Sequence, residues 1–180
     1  MSKKKHIIVI GATSSIAEHC CRLWVQDTNH LTLVGRNQQR LQAVSDDLQV
    51  RNPNAKIDIK ICDFIDPKAI SAFTDSITKE GLPDLVLIAH GLLPDQTQCQ
   101  HDLSACQHAL AINGISPALF AEAFAHKMAK QNHGKIAVIG SIAGDRGKAS
   151  NYIYGAAKGL VERYIEGLQH RFAQTNLQII

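Results

Sequence analysis

A switch between two hydrophobic periods, repeated from end to end, constrains this chain more than any other feature. His6-Ile7-Ile8-Val9-Ile10 is a short β-branched run, and Ile16, Cys20, Leu23 and Trp24 follow it at helical spacing. Leu31-Thr32-Leu33-Val34 is a second run, followed by Leu41, Val44 and Leu48 on one helix face. Ile57 to Ile61 is a third, followed by Ile70, Phe73 and Ile77. Leu85-Val86-Leu87-Ile88-Ala89 is a fourth, and 92–101 (LLPDQTQCQH) after it is the longest irregular stretch. A long helical region then runs from about 103 to 128, bent or divided at Pro117. Lys135 to Gly140 is a fifth run. The helix after it, from about 152 to 172, carries Ala157, Val161, Ile165, Leu168 and Phe172 on one side. A sixth run begins at Leu177 as the sequence reaches Ile180.

The runs read as continuously apolar rather than alternating, which means burial on both faces and hence a parallel sheet covered by helices. Right-handed crossovers between such strands build an α/β fold, a Rossmann-type doubly wound parallel sheet with helices on both faces. Here it breaks off in the sixth strand. Ligands of such a sheet sit outside the carboxyl ends of its strands. With 180 residues and no linker, repeat or low-complexity segment, residues 1–180 form a single domain.

Composition removes several classes of function. The chain is 45% hydrophobic and 19% charged, as expected of an ordinary globular domain. A net charge of +3 leaves no footprint for nucleic acid, and Lys3-Lys4-Lys5 reads as a solvated end. The apolar run His6 to Ala12 is too short for a signal peptide and leads into a glycine turn. No stretch approaches the roughly 20 apolar residues of a membrane span. The five cysteines are odd in number and lack C-x-x-C spacing, which suits small buried hydrophobes in a reduced cytosol. Nine histidines show no H-x-x-x-H pairing, so no metal is expected. A cytoplasmic location follows from these expectations.

The first run enters Gly11-Ala12-Thr13-Ser14-Ser15-Ile16-Ala17. A tight turn into a helix start presents free N–H groups and a positive dipole end to a pyrophosphate. Gly11 permits the turn, and Ser14 or Ser15 caps the helix. The second run ends in Gly35-Arg36-Asn37. An arginine at that end accommodates a 2′-phosphate, where an acid would accept a ribose hydroxyl, so Arg36 points to NADP(H) over NAD(H). A solvated arginine is the plain alternative, although a basic residue at a helix start opposes the dipole. Asp63 has two readings of equal weight, a contact with adenine or a cap on the helix near Pro67.

Tyr154 and Lys158 lie four apart on a predicted helix and so share a face. An ammonium beside a phenol favours the phenolate, which makes Tyr154 a usable acid or base. Ser141, in Gly140-Ser141-Ile142-Ala143-Gly144, brings a hydroxyl to the carboxyl edge of the fifth strand; helping the turn is its plain alternative.

Gly11-xxx-Ser15-x-Ala17, Ala89-His90-Gly91, Asn113, Ser141 and Tyr154-xxx-Lys158 together carry a family pattern. In order and approximate spacing they resemble the classical short-chain dehydrogenases/reductases, over essentially the whole chain. The thirteen-residue interval from Ser141 to Tyr154, followed by Lys158, is the most specific part.

The resemblance implies an oxidoreductase that moves a hydride between NADP(H) and a small-molecule carbonyl or alcohol. Tyr154 would give or take the proton, Lys158 would assist it and hold the nicotinamide ribose, and Ser141 would polarise the substrate oxygen. Asn113 would anchor a water relay to Lys158; adjusting a helix bend near Pro117 is the alternative. The cofactor would lie against Gly11, Thr13, Ser14, Ser15 and Ile16 at the first turn. Further along it would meet Arg36, Asp63 and the segment Ala89, His90 and Gly91. The family's pairing surfaces imply a homodimer or homotetramer.

Three departures accompany the match. Ser15 and Ala17 stand where glycines are usual, and Ala89-His90-Gly91 replaces Asn-Ala-Gly. His90 either faces the cofactor or is a satisfied buried histidine, the second being the ordinary outcome for a lone histidine. The family's C-terminal substrate lid and seventh strand are absent, so the 180-residue chain by itself is open to being inactive. A catalytically impaired, NADP-binding regulatory or scaffold protein is therefore the competing reading. A sugar-nucleotide epimerase or dehydratase also uses a tyrosine–lysine pair but differs in glycine spacing. The stretch 141–154 further resembles reductases of sugar–lipid intermediates, such as those acting on a keto-arabinose carried by decaprenyl phosphate.

Overall fold

The computed structural model describes residues 5–28, 30–79 and 81–180, so Lys3 and Lys4 of the basic end lie outside the described residues. Six parallel strands form one sheet: β1 (His6–Ile10), β2 (His30–Gly35), β3 (Lys56–Ile61), β4 (Leu85–Ile88), β5 (Gly134–Val138) and β6 (Leu177–Ile179). Their spatial order is β3-β2-β1-β4-β5-β6, so the winding reverses between β1 and β4. Helices α1 (Ser15–Trp24), α2 (Gln38–Arg51) and α3 (Pro67–Lys79) follow the first three strands. The fourth leads into α4 (Gln96–His101), α5 (Leu103–Leu110) and α6 (Ser116–Met128), and β5 leads into α7 (Tyr152–Phe172).

The pleat sends alternate residues to two apolar layers. Ile8 and Ile10 of β1, Val86 and Ile88 of β4 and Ile136 of β5 meet Phe120, Phe124 and Val161 from α6 and α7. Ile7 and Val9 meet Ala17 and Cys21 of α1 and Leu41 and Leu48 of α2. Fully burying one such large side chain contributes about 1.5–3 kcal/mol, so the two layers carry most of the fold's stability. Cys21, Cys62 and Cys99 are buried and all five cysteines are free thiols.

Three local expectations are corrected. β3 (Lys-Ile-Asp-Ile-Lys-Ile) alternates and is largely uncovered, because it is an edge strand with a neighbour on one side only. The stretch 92–101 is not wholly irregular. Asp95 accepts from the N–H of Gln98 and starts α4 there. The long helical region divides before Pro117, through a π-helical turn over Ala111–Ile115. Pro117 has no N–H to offer the carbonyl of Asn113, and the widened turn relieves that mismatch.

Candidate active site

Gly11 follows β1 with φ of 84°, a left-handed conformation that costs glycine nothing and other residues appreciably. The turn is pinned to β2, since the N–H groups of Gly11 and Ala12 both donate to the carbonyl of Val34. Ser14 is the cap of α1, its Oγ accepting from the N–H of Ala17 at 3.2 Å. Ser15 is exposed at the helix start, and Ala17 is buried against the sheet, where its methyl fits without distortion. A Cβ on Gly11 would lie 2.6 Å from the backbone of His90, so the turns after β1 and β4 touch at the reversal of the winding.

A cavity of about 530 Å³ opens there, at the carboxyl ends of the strands. Gly11, Thr13 and Ser14 form one wall and Gly35, Arg36, Asn37 and Arg40 another; Phe64, His90, Gly91 and Ile112 close it. Two guanidinium groups serve this cavity. Arg36 lies over the ring of Phe64, 5.9 Å from its centroid. Arg40, which the sequence reading did not single out, reaches across from α2 and donates to the carbonyl of Thr13 at 3.1 Å. Phe64 was missed as well; nothing in a residue three positions beyond a strand marks it as part of a cleft.

Asp63 is bound to its own loop through one carboxylate oxygen. Its Oδ1 accepts from the N–H groups of Ile65 and Asp66, and those bonds hold its carboxyl below the usual range, with Arg36 adding to them. It is not the cap of α3, because Asp66 accepts from Lys68 and starts that helix. His90 is 7% exposed, with Nε2 2.7 Å from Ser116 Oγ and its ring packed against those of Phe64 and Phe120, which also touch each other. Burial, assisted by Lys158 and Arg36, pushes its pKa down to about 3. Its Nδ1 is buried without a partner among the described residues. His90 is therefore both buried and a lining of the cleft, where the sequence had set these as alternatives.

The second half of the site is built around α7. Gly155 packs on the carbonyl oxygen of Ala143, and Gly144 on the backbone of Lys158 and Gly159. These approaches press the turn 141–144 against the row of α7 beside Tyr154 and Lys158. On another side, Gly114 of the π turn meets the backbone of Ala157. Lys158 is only 4% exposed; its Nζ donates to the carbonyl of Ile139 at 2.7 Å and lies 5.9 Å from the centroid of the Tyr154 ring. Burial alone lowers its pKa.

Asn113 is fully buried in the π turn. Its Oδ1 accepts from the N–H of Leu92 at 2.8 Å and its Nδ2 donates to the carbonyl of Ala109, tying the loop after β4 to the helix. Ser141 accepts from the N–H of Ala143 and borders a separate cavity of about 330 Å³, with Asp145, Val161 and Glu162. Tyr154 is not among the residues lining that cavity. Gln96 is a further residue the sequence did not reveal. The cap residue of α7, Asn151, makes no side-chain cap bond, and Gln96 Oε1, 57 positions earlier in the chain, accepts from Ile153 N instead.

The sequence profile of the short chain dehydrogenase family matches residues 5–180, and the chain belongs to that family of oxidoreductases. An uncharacterized oxidoreductase of Staphylococcus epidermidis is 24% identical over 177 residues, which are 98% of this chain and 75% of the relative. The NADP-dependent 3-hydroxy acid dehydrogenase YdfG of Escherichia coli (strain K12) is 27% identical over 158 residues, 88% of this chain and 62% of that protein. Among solved structures, a metagenomic short-chain oxidoreductase in complex with NADP matches with a TM-score of 0.87 at 22% identity, over 99% of this chain and 81% of that one. Levodione reductase also matches with a TM-score of 0.87, at 19% identity, over 97% and 69%. Among the described residues, no helix is long and apolar enough to cross a membrane.

Proposed function

We propose that the protein is an NADP(H)-dependent oxidoreductase of small-molecule carbonyls or alcohols, with Tyr154 as its proton donor and acceptor. The observation that carries this reading is Lys158. A buried ammonium without a carboxylate partner among the described residues is costly, and it is kept beside a tyrosine and close enough to His90 of the cleft to act on its charge.

The cleft fits a phosphorylated dinucleotide by its own chemistry. A positive-φ glycine leads into a capped helix start, two arginines flank the wall, and a buried imidazole nitrogen lacks a partner. Arg36 and Arg40 would hold a 2′-phosphate, which favours NADP(H) over NAD(H). The turn residues Gly11, Thr13, Ser14, Ser15 and Ile16 would take the pyrophosphate, and Ala89, His90 and Gly91 the sugar beneath it. Asp63 would shape this end through the loop it braces. The bound nicotinamide supplies the hydride chemistry.

The chain's own residues manage the proton. Tyr154 Oη gives a proton to the substrate oxygen in reduction and removes it in oxidation. Lys158, held by the Ile139 carbonyl, keeps a positive charge next to the phenol ring. Ser141 orients the substrate oxygen, and Asn113 fixes the π turn against which α7 rests. Exposed Ile115 on the π turn and Leu160 and Tyr164 on α7 suit pairing into a homodimer or homotetramer, and a cytoplasmic setting suits the free thiols. One observation favours a binding-only protein: Ser141 lines a cavity that Tyr154 does not share.

The test is NADPH oxidation against a panel of ketones, β-keto acids and sugar ketones, with NADPH binding measured in parallel. Tyr154→Phe should bind NADPH as tightly as the unaltered protein and turn over at least a hundredfold more slowly. Retained turnover in Tyr154→Phe removes the tyrosine from the chemistry. Binding with no turnover on any substrate supports the binding-only reading.

A further inference from the structure

We infer that Ser116 sets the tautomer of His90, and that the resulting Nδ1–H is a hydrogen-bond donor for the adenosine half of the bound dinucleotide. The inference rests on the cofactor reading above and goes beyond it by fixing which atom of His90 acts and which residue controls it.

Hydrogen-bond accounting decides the tautomer. Ser116 is buried, and His90 Nε2 is the partner of its hydroxyl among the described residues. Were Nε2 protonated, it would donate to Ser116 Oγ. The hydroxyl proton and the bare Nδ1 would then both be buried without partners. With the hydroxyl donating to Nε2, a single unmet group remains, the Nδ1–H. Each unmet buried polar group costs about 1–3 kcal/mol, so the second arrangement prevails. A proton on both nitrogens is opposed by burial and by the cations Lys158 and Arg36.

The same accounting implies a ligand. His90 is the buried ionisable side chain among the residues that line the cleft, and its free nitrogen finds no acceptor among the described residues. Phe64 and Phe120 fix the ring, and the backbone of Gly11 presses on that of His90, so the residue has little freedom to turn toward another partner. The neighbours around the cavity say which half of a dinucleotide lies there. Arg36, Asn37 and Phe64 follow the ends of β2 and β3 and Arg40 lies in the first turn of α2, whereas Tyr154 and Lys158 are not among its lining. The half held against His90 is therefore the one that does not react. Ring nitrogens and ribose oxygens of adenosine are acceptors that a neutral N–H can serve.

Two measurements test this. Imidazole ¹⁵N NMR on the protein should show His90 protonated at Nδ1 and bare at Nε2, and Ser116→Ala should move the proton to Nε2 or mix the two forms. Calorimetric titration with adenosine 2′,5′-bisphosphate should give about tenfold weaker binding in His90→Ala and about threefold weaker binding in Ser116→Ala. Nicotinamide mononucleotide should bind all variants alike. His90→Asn, which keeps a side-chain N–H near the Nδ1 position, should recover part of the loss. An Nε2-protonated tautomer in the unaltered protein overturns the inference, as does equal affinity of His90→Ala and the unaltered protein for the bisphosphate. Failure of the unaltered protein to bind either the bisphosphate or NADPH overturns the cofactor reading itself, and this inference with it.

Discussion

Gly155 of α7 sits on the carbonyl oxygen of Ala143, so close that a Cβ there would be 2.6 Å away. This contact joins the Ser141 turn to the helix that carries Tyr154 and Lys158. Helix propensity alone favours Gly155→Ala by about 1 kcal/mol. The clash is with backbone and cannot be relieved by a rotamer change, and overpacking of this kind costs about 1–3 kcal/mol. The expected net result is a loss of stability, read as a lower denaturation midpoint, together with a loss of turnover larger than the loss of cofactor affinity. A stabilised, fully active Gly155→Ala protein would mean that the two segments are not held in register by this contact.

Lys158→Met separates stability from function. Removing a buried ammonium relieves its desolvation, while the Ile139 carbonyl loses a donor and the methionine fills the space. These effects oppose one another, and denaturation should show a stability within about 1 kcal/mol of the unaltered protein. Turnover should fall at least a hundredfold. A collapse of the fold without prior loss of activity would assign Lys158 a structural role.

Arg36→Ala and Arg40→Ala should each weaken NADPH binding about tenfold, the usual worth of one charge-assisted hydrogen bond, and leave NADH nearly unchanged. Fluorescence titration of both nucleotides reads the ratio directly. Arg40→Ala should in addition loosen the turn at Thr13, whose carbonyl it holds, and so weaken NADH slightly. Equal losses for the two nucleotides would place the arginines on the shared pyrophosphate instead of a 2′-phosphate.

Acid should destabilise the protein before its carboxylates titrate. His6 is pushed down to about 4, chiefly by burial and then by the neighbouring His30, and His90 to about 3 by burial and nearby cations. The unfolded chain takes up these protons near the ordinary value of 6.5, while the folded chain refuses them until far lower pH. The unfolded state therefore binds more protons in that window. Stability is full above about pH 6.5 and falls as pH drops toward 4, by up to about 1.4 kcal/mol per pH unit for a fully buried histidine. Asp47, held near 2 by its bonds to Arg51 and Arg22, enters only below this window. Denaturation at pH 7 and pH 5 should show the drop, and His90→Gln should make it shallower. An unchanged slope in that variant would show that His90 titrates normally.

Much of the scaffold was legible because its cause is local. The strands β1, β2 and β4, the glycine turn after β1 and the helix Tyr152–Phe172 all follow from the period of apolar residues and from turn chemistry. The edge strand β3 was read as apolar on both faces because its place in the sheet depends on strand order, which no period records. Helix α4 was missed because a run of six residues carries too little periodicity to show. Arg40 and Phe64 were missed since their role lies in what they face across the cleft.

By itself the sequence determined the parallel sheet and the family, since these rest on the spacing of apolar residues and on motifs written in order along the chain. Only the tertiary structure decided that Asp63 is occupied by its own loop, that Asn113 is bound between Leu92 and Ala109, and that Gln96 caps a helix 57 residues away. The physical reason is that a polar side chain's role is set by which donors and acceptors surround it once buried. Those partners come from elements distant in the sequence, brought together by the packing of two apolar layers on one sheet.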